Sequence, residues 1–329
     1  MALEIAIRRF GGPEVLEARD APPEAPRKGQ VRIRHKAIGV NFTDVHGRRG
    51  DYAPLHALPM PLVLGLEAAG VVDAVGEGVD SPAVGERVWL FLSAFGNRYG
   101  TAAEYSVLPA AHVRPLPGDA PDELGACLGV PAVTAAHCLL VGGSGDRGTL
   151  AGRTVLVAGG AGAVGHYAIE LAKHAGARVV TTVSSDEKGE LARAAGADLV
   201  VNYREPNAVD QVKGFADHVD RIVEVALGAN LGLDLAVSGA GTVIAVYANE
   251  PDDPVIPTRQ FMVANASISY VLLYGVPDDQ LRAAVAWTAD AAGTGALSPL
   301  PITHYGLDDI VAAHEAVENG AVGKVVVVP

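Results

Sequence analysis

The stretch that most constrains the fold lies near the middle of the chain. Residues 154 to 158, Thr-Val-Leu-Val-Ala, are apolar and β-prone. Gly159, Gly160, Ala161, Gly162, Ala163, Val164 and Gly165 follow, and from His166 to Lys173 the residues keep a helical period. Gly160, Gly162 and Gly165 therefore stand in G-x-G-x-x-G order between a strand and a helix. In such a turn the first glycine allows the tight reversal, the second lets backbone amides approach a pyrophosphate, and the third lets helix and strand pack closely. The positive end of the helix dipole and its unpaired amides then face the phosphates. In a chain with 39 glycines an ordinary Gly/Ala turn gives the same bare pattern. Context favours the dinucleotide reading, because a second strand, residues 178 to 183, arrives at the spacing a β-α-β unit requires.

Texture along the chain sets the domain organisation. To about residue 117 it is rich in glycine, proline and short alternating segments, as in an all-β unit; Val31, Ile33 and His35 alternate with Arg32, Arg34 and Lys36. Residues 119 to 140 read as helices and residues 141 to 148 as a loop. Strands are then expected at 178 to 183, 199 to 201, 221 to 225 and 241 to 246, with helices at 186 to 195 and 207 to 215 between them. That order is Rossmann-like, a doubly wound parallel sheet. From about Ile268 β segments return with two helices, 277 to 292 and 307 to 318, and the chain ends on a strand at 324 to 328. The expected division is an α/β dinucleotide domain over 121 to 267, and a mainly β domain made of 1 to 120 with 268 to 329.

The net charge of −13 and pI near 5.2 argue against a nucleic-acid or anionic-membrane surface. No stretch reaches the ~18 apolar residues of a spanning helix, and residues 1 to 10 lack the apolar region of a signal peptide. The expected location is cytoplasmic. Cys127 and Cys138 are the only cysteines, so neither a disulfide framework nor a cysteine zinc cluster is available.

The tip of the second strand bears on the cofactor. NAD enzymes commonly place an acid there for the ribose 2′-hydroxyl, and that carboxylate repels a 2′-phosphate. Here the tip is Ser184, with Ser185 beside it and Lys188 a helical turn further on, which suits a phosphate and favours NADPH. Tyr203 and Arg204, ending the third strand, are placed to cover the same phosphate or the adenine. The plainer reading is that Ser184 and Ser185 cap a helix whose first turn holds Asp186 and Glu187, and those two acids count against a phosphate.

The polar stretch 39 to 52, Gly-Val-Asn-Phe-Thr-Asp-Val-His-Gly-Arg-Arg-Gly-Asp-Tyr, reads as a loop on composition. Together with residues 10 to 16 (Phe-Gly-Gly-Pro-Glu-Val-Leu), 64 to 72 (Leu-Gly-Leu-Glu-Ala-Ala-Gly-Val-Val), 132 to 135 (Ala-Val-Thr-Ala) and the glycine turn, it resembles the quinone oxidoreductase (zeta-crystallin-like) branch of the medium-chain dehydrogenase/reductases. Residues 304 to 309, 312 to 314 and 323 to 326 extend the resemblance nearly end to end. It implies a GroES-like catalytic domain built from both chain ends around a central Rossmann domain, with the active site in the cleft between them. It implies further that Asn41 binds the nicotinamide ribose region, that Thr134 bonds the cofactor near its phosphates, and that Lys188 and Tyr203 meet the 2′-phosphate. Gly160, Gly162, Ala163, Val164 and Gly165 would hold the pyrophosphate, and Lys324 belongs to the same cofactor-binding set. Three departures stand out: His46 where the branch often has tyrosine, Ala163 inside the glycine turn, and Leu272 near where some members carry arginine.

Zinc-dependent members of the superfamily have a cysteine where Asn41 stands, a histidine where Leu66 stands, and a four-cysteine structural lobe; none of these ligands is present. Glu67 is then expected to be structural. The reading is an NADPH-dependent, zinc-independent oxidoreductase that passes hydride to a quinone, with Tyr52 and His46 as candidate catalytic residues that hydrogen-bond the substrate oxygen, or else as loop-packing residues. The alternatives are an enone or enoyl-thioester double-bond reductase, or a protein that binds NADPH without turning it over. Residues 267 to 273, Ser-Ile-Ser-Tyr-Val-Leu-Leu, are β-prone; at an exposed sheet edge they would make a homodimer, and otherwise they form a buried strand.

Overall fold

The computed structural model describes residues 1–143 and 145–329, so that Ser144 of the loop at 141 to 148 lies outside the described residues. The first segment carries β1 (Ala2–Ile7), β2 (Glu17–Ala21), β3 (Gln30–Val40), α1 (Phe42–Arg49), β4 (Leu62–Val63), β5 (Glu67–Val75), β6 (Arg87–Leu90), β7 (Tyr105–Pro109), β8 (Val113–Pro115) and α2 (Asp122–Gly125). The middle segment carries α3 (Val133–Leu140), β9 (Thr154–Ala158), α4 (Ala163–His174), β10 (Arg178–Val183), α5 (Asp186–Ala194), β11 (Leu199–Asn202), α6 (Ala208–Phe215), β12 (Val219–Glu224), α7 (Leu227–Val237), β13 (Ser238–Val246), α8 (Thr258–Ala264), β14 (Ser267–Tyr270) and α9 (Asp278–Gly293). The return carries β15 (Ile302–Gly306), α10 (Ile310–Glu318) and β16 (Lys324–Val328).

The chain divides into two units, Met1–Val130 with Pro299–Pro329, and Pro131–Ser298. These bounds differ from the expected 121 and 267. Residues 121 to 130 stay with the β unit because α2 packs on β3, β5 and β6 and the Val130 N–H donates to Glu67. Residues 268 to 298 stay with the parallel sheet because β14 pairs with β13 and α9 packs on α3 and α4.

In the β unit, one sheet runs β15-β16-β3-β5-β6-β8 with β7 on β3, and a smaller one runs β2-β1-β4. β3 buries Val31, Ile33 and His35 and turns Arg34 and Lys36 outward, as the alternation predicts. The last strand, β16, lies antiparallel to β3 with Val325 opposite Val40. That register brings the two ends of the chain together beside Asn41, which directly follows β3.

The second unit has the strand order β11-β10-β9-β12-β13-β14, every pair parallel, which is the doubly wound order. Leu156, Val180, Ile222 and Ile244 bury one face of the sheet with residues of α6, α7 and α8, while α3, α4 and α9 pack together as a second helical group. β9 is buried along its whole length, as an apolar run at the centre of a parallel sheet should be. The helices α7 and α8 were not legible in the sequence.

Candidate active site

The glycine turn joins β9 to α4 as expected, with a different division of labour among its glycines. The left-handed residue that reverses the chain is Gly159, at φ +70°, one position before the motif. Gly160 is required for closeness: a Cβ there would stand 2.1 Å from Thr181 Oγ1 on β10. At Gly165 it would stand 2.3 Å from the Gly159 carbonyl oxygen, so helix and turn meet backbone to backbone. Gly162 is exposed, with only the Gly159 oxygen near, at 3.3 Å. It caps α4 without a side chain, which leaves the first-turn amides of Ala163, Val164 and Gly165 for a ligand. This cradle fits a pyrophosphate.

At the end of β10, Ser184 is half-buried and Ser185 is the N-cap of α5, its hydroxyl accepting the Lys188 N–H at 3.4 Å. Asp186 and Glu187 are exposed in the first turn. Among the described residues nothing pairs with the Lys188 ammonium. Tyr203 lies alongside, since its N–H donates to Val183 O at 3.1 Å, and the Arg204 guanidinium stands over its ring. One strand tip thus collects hydroxyls, a free ammonium, a guanidinium and an exposed aromatic face, with the two acids on the adjoining turn. Thr134 stands in the first turn of α3.

In the β unit the expected loop at 39 to 52 is a helix, α1, through most of its length. Its polar sequence hides two tertiary anchors, the buried Val45 and the fully buried Arg48, which donates to Glu318 of α10 at 2.7 Å. Asp44, at the third helical position, accepts the Asn41 N–H at 2.8 Å, half of a capping box. The Asn41 side chain completes the box with Asp44 and also reaches beyond the helix. Its Nδ2 donates to Glu67 Oε1 at 2.8 Å, and its Oδ1 accepts from Lys324 Nζ at 2.5 Å. Lys324 also donates to Glu67 Oε1 at 2.6 Å, and Glu67 Oε2 accepts the Val130 N–H at 2.7 Å. Glu67 and Lys324 are buried, so the ion pair is fully desolvated and closed by neutral partners. Burial pushes the Asp44 carboxyl up to about 7, against the lowering effect of the Asn41 N–H and the Lys324 charge.

His46 and Tyr52 come together at the far end of α1, their ring centroids 6.0 Å apart. His46 Nδ1 is 2.6 Å from Asp51 Oδ2, which assigns the proton to that nitrogen and leaves Nε2 for another partner. The Tyr52 hydroxyl is 2.9 Å from Thr43 Oγ1, and desolvation raises its pKa. Sequence reasoning missed Asp44, Asp51 and Thr43 as members of this group. Asp44 had a signal, the Asn-x-x-Asp spacing of a capping box; the other two had none before α1 closed the chain over them. Among the described residues no group of three or more His, Cys, Asp or Glu is placed to hold a metal ion, and no helix is long and apolar enough to cross a membrane.

Comparison with known proteins agrees with this geometry. Residues 27–118 match the family model of the alcohol dehydrogenase GroES-like domain, and residues 163–290 that of the zinc-binding dehydrogenases. A quinone oxidoreductase of Lama guanicoe is 33% identical over 328 residues, covering 98% of this chain and 96% of the relative. The crystal structure of Escherichia coli quinone oxidoreductase complexed with NADPH superposes with a TM-score of 0.83 at 26% identity, covering 100% of both chains. A 2-haloacrylate reductase of a Burkholderia species is 35% identical over 215 residues, 65% of this chain and 62% of that protein. The chain belongs to the quinone oxidoreductase branch of the medium-chain dehydrogenase/reductase superfamily and is an NAD(P)H-dependent oxidoreductase.

Proposed function

We propose that this enzyme is an NADPH-dependent, zinc-independent reductase whose acceptor is a quinone. The observation that carries the reading is the Asn41–Glu67–Lys324 cluster, where the Lys324 ammonium sits against both Asn41 Oδ1 and Glu67 Oε1. Asn41 stands where zinc-dependent relatives have a cysteine ligand, its amide is a poor ligand for zinc, and the Lys324 cation already bonds its oxygen. With no Lewis acid to polarise an alcohol or a simple carbonyl, an acceptor that is already electron-poor is favoured. Bound NADPH supplies the hydride. Three residues would hold its pyrophosphate through their amides, Ala163, Val164 and Gly165, with Gly160 and Gly162 leaving the space and Thr134 bonding near the phosphates. Ser184, Ser185, Lys188 and Tyr203 would take the 2′-phosphate; the E. coli relative bound to NADPH supports this choice. Asn41 is assigned to the nicotinamide ribose, and Lys324 acts by fixing its amide. Tyr52 and His46 are the groups assigned to the substrate oxygen. A hydroquinone oxyanion then takes its proton from solvent.

A second reading, reduction of an activated alkene, draws support from the 2-haloacrylate reductase relative; a proton must then reach carbon, and the Tyr52 hydroxyl is the donor at hand. Isotope tracing separates the two. With deuterium-labelled NADPH, an alkene product retains deuterium on carbon, whereas a hydroquinone shows none after exchange with water. A panel of quinones and enones assayed with NADPH and NADH in parallel tests the whole proposal; turnover of neither class, or preference for NADH, would overturn it. The enzyme is also proposed to be a homodimer, joined along β14.

A further inference from the structure

A second cationic site stands in the parallel-sheet unit, away from the glycine turn. Arg221 lies on β12 and is 7% exposed, yet among the described residues no carboxylate pairs with it. Its Nη1 donates to two carbonyl oxygens at the end of α3, Cys138 at 2.8 Å and Val141 at 2.7 Å, which satisfy hydrogen bonds without neutralising charge. A buried cation left without a counter-ion is costly. His137, 4% exposed, faces the same region, and its Nδ1 has no hydrogen-bond partner. Burial, and after it the Arg221 charge, hold the His137 pKa down, so the imidazole is kept neutral beside the guanidinium. Above them is a cleft of about 340 Å³, lined by His137, Leu140 and Gly143 on one side and by Asp279, Gln280 and Ala283 on the other. A Cβ on Gly143 would stand 3.5 Å from Arg221 Nη2, so the guanidinium lies directly beneath that wall. The far wall is the start of α9, a helix of 16 residues whose first turn has no side-chain cap. Its dipole adds to the positive field in the cleft.

We propose that this cleft binds a small oxyanion, a carboxylate or phosphate group, which supplies the negative charge that Arg221 lacks. His137 lines one wall, with the Arg221 guanidinium behind Gly143, and the start of α9 forms the opposite wall. Asp279 is exposed at the mouth and opposes the ligand. The site is distinct from the dinucleotide cradle: Arg221 pairs with Val155 near the start of β9, four residues and roughly 13 Å of strand from Gly159. The proposal does not depend on which acceptor the enzyme reduces.

The test is titration of the dinucleotide-saturated enzyme with sodium phosphate and, separately, sodium acetate at constant ionic strength, followed by melting temperature and calorimetry. Saturation of the cradle removes it as a competing anion site. A saturable rise in Tm with at least one anion is expected, and the anion that binds more tightly identifies the group. Arg221→Met and Ala283→Phe should each weaken binding about tenfold or more, and Asp279→Asn should tighten it about threefold. Ala283→Phe fills the cleft without touching the charge, so it decides the matter should Arg221→Met fail to fold. No saturable response to either anion, or a response that survives Ala283→Phe, overturns the proposal.

Discussion

At Asp44 a carboxyl group is enclosed by the start of α1 and held near pH 7 by desolvation. Its pKa rises on folding, from 3.8 to about 7, so the stability it contributes is present at low pH and lost as pH climbs through 7. Asp44→Asn keeps an acceptor for the Asn41 N–H and cannot ionise. The variant should match the wild type near pH 4 and exceed it by on the order of 4 kcal/mol at pH 8, as read by urea unfolding at both pH values. The comparison must be variant against wild type, because the buried His35 and His314, both lowered to about 4 chiefly by desolvation, pull the other way. For them stability is present above pH 6.5 and lost as pH falls toward 4. Lys188 is unpaired and beside Ser184, and Lys188→Ala should raise KM for NADPH about tenfold while leaving KM for NADH within about twofold, in steady-state assays. Gly165 has no room for a side chain, so Gly165→Ala should weaken dinucleotide binding about tenfold or more by tilting α4 away from the turn, measured by fluorescence titration. These residues differ in how visible they were. Lys188 and Gly165 follow from spacing alone, whereas the environment of Asp44 exists only once α1 has folded.

Two elements show how context overrides local pattern. The segment 42 to 49, Phe-Thr-Asp-Val-His-Gly-Arg-Arg, has poor helical character and a glycine, yet it is a helix because Arg48 and Arg49 both reach Glu318 and Gly50 ends it at φ +86°. Neither partner is near in sequence. For residues 267 to 273 the sequence left a buried strand and an edge strand open. β14 is the last strand of its sheet, with Tyr270 70% exposed and Leu272, two residues beyond it, 56% exposed, so this edge offers unpaired backbone and apolar side chains of the kind a second copy would cover. The double variant Tyr270→Asp, Leu272→Glu should be monomeric at micromolar concentration and keep the wild-type circular dichroism spectrum. Sedimentation velocity decides this: a wild type that is itself monomeric ends the dimer proposal.

Across the molecule, ligand binding and stability are linked. NADP+ at about 100 times its Kd should add about 2.7 kcal/mol to the stability of the unit that binds it, seen as a rise in its melting temperature. The sequence by itself determined the parallel sheet from β9 to β12, because those strands are apolar runs separated by helical periods and the glycine turn marks the first crossover; α7 and the sixth strand, β14, came only with the structure. It determined Ser184 and Lys188 at the tip of the second strand as well, since strand length and turn position are local properties. The tertiary structure decided what no local window holds. β16 lies against β3 by a pairing between the two ends of the chain, and only that pairing sets Lys324 on Asn41 and Glu67. The missing counter-ion of Arg221 was decided in the same way. Charges are read from a sequence one at a time; whether each is paired, buried or left open depends on distances that the chain acquires only on folding.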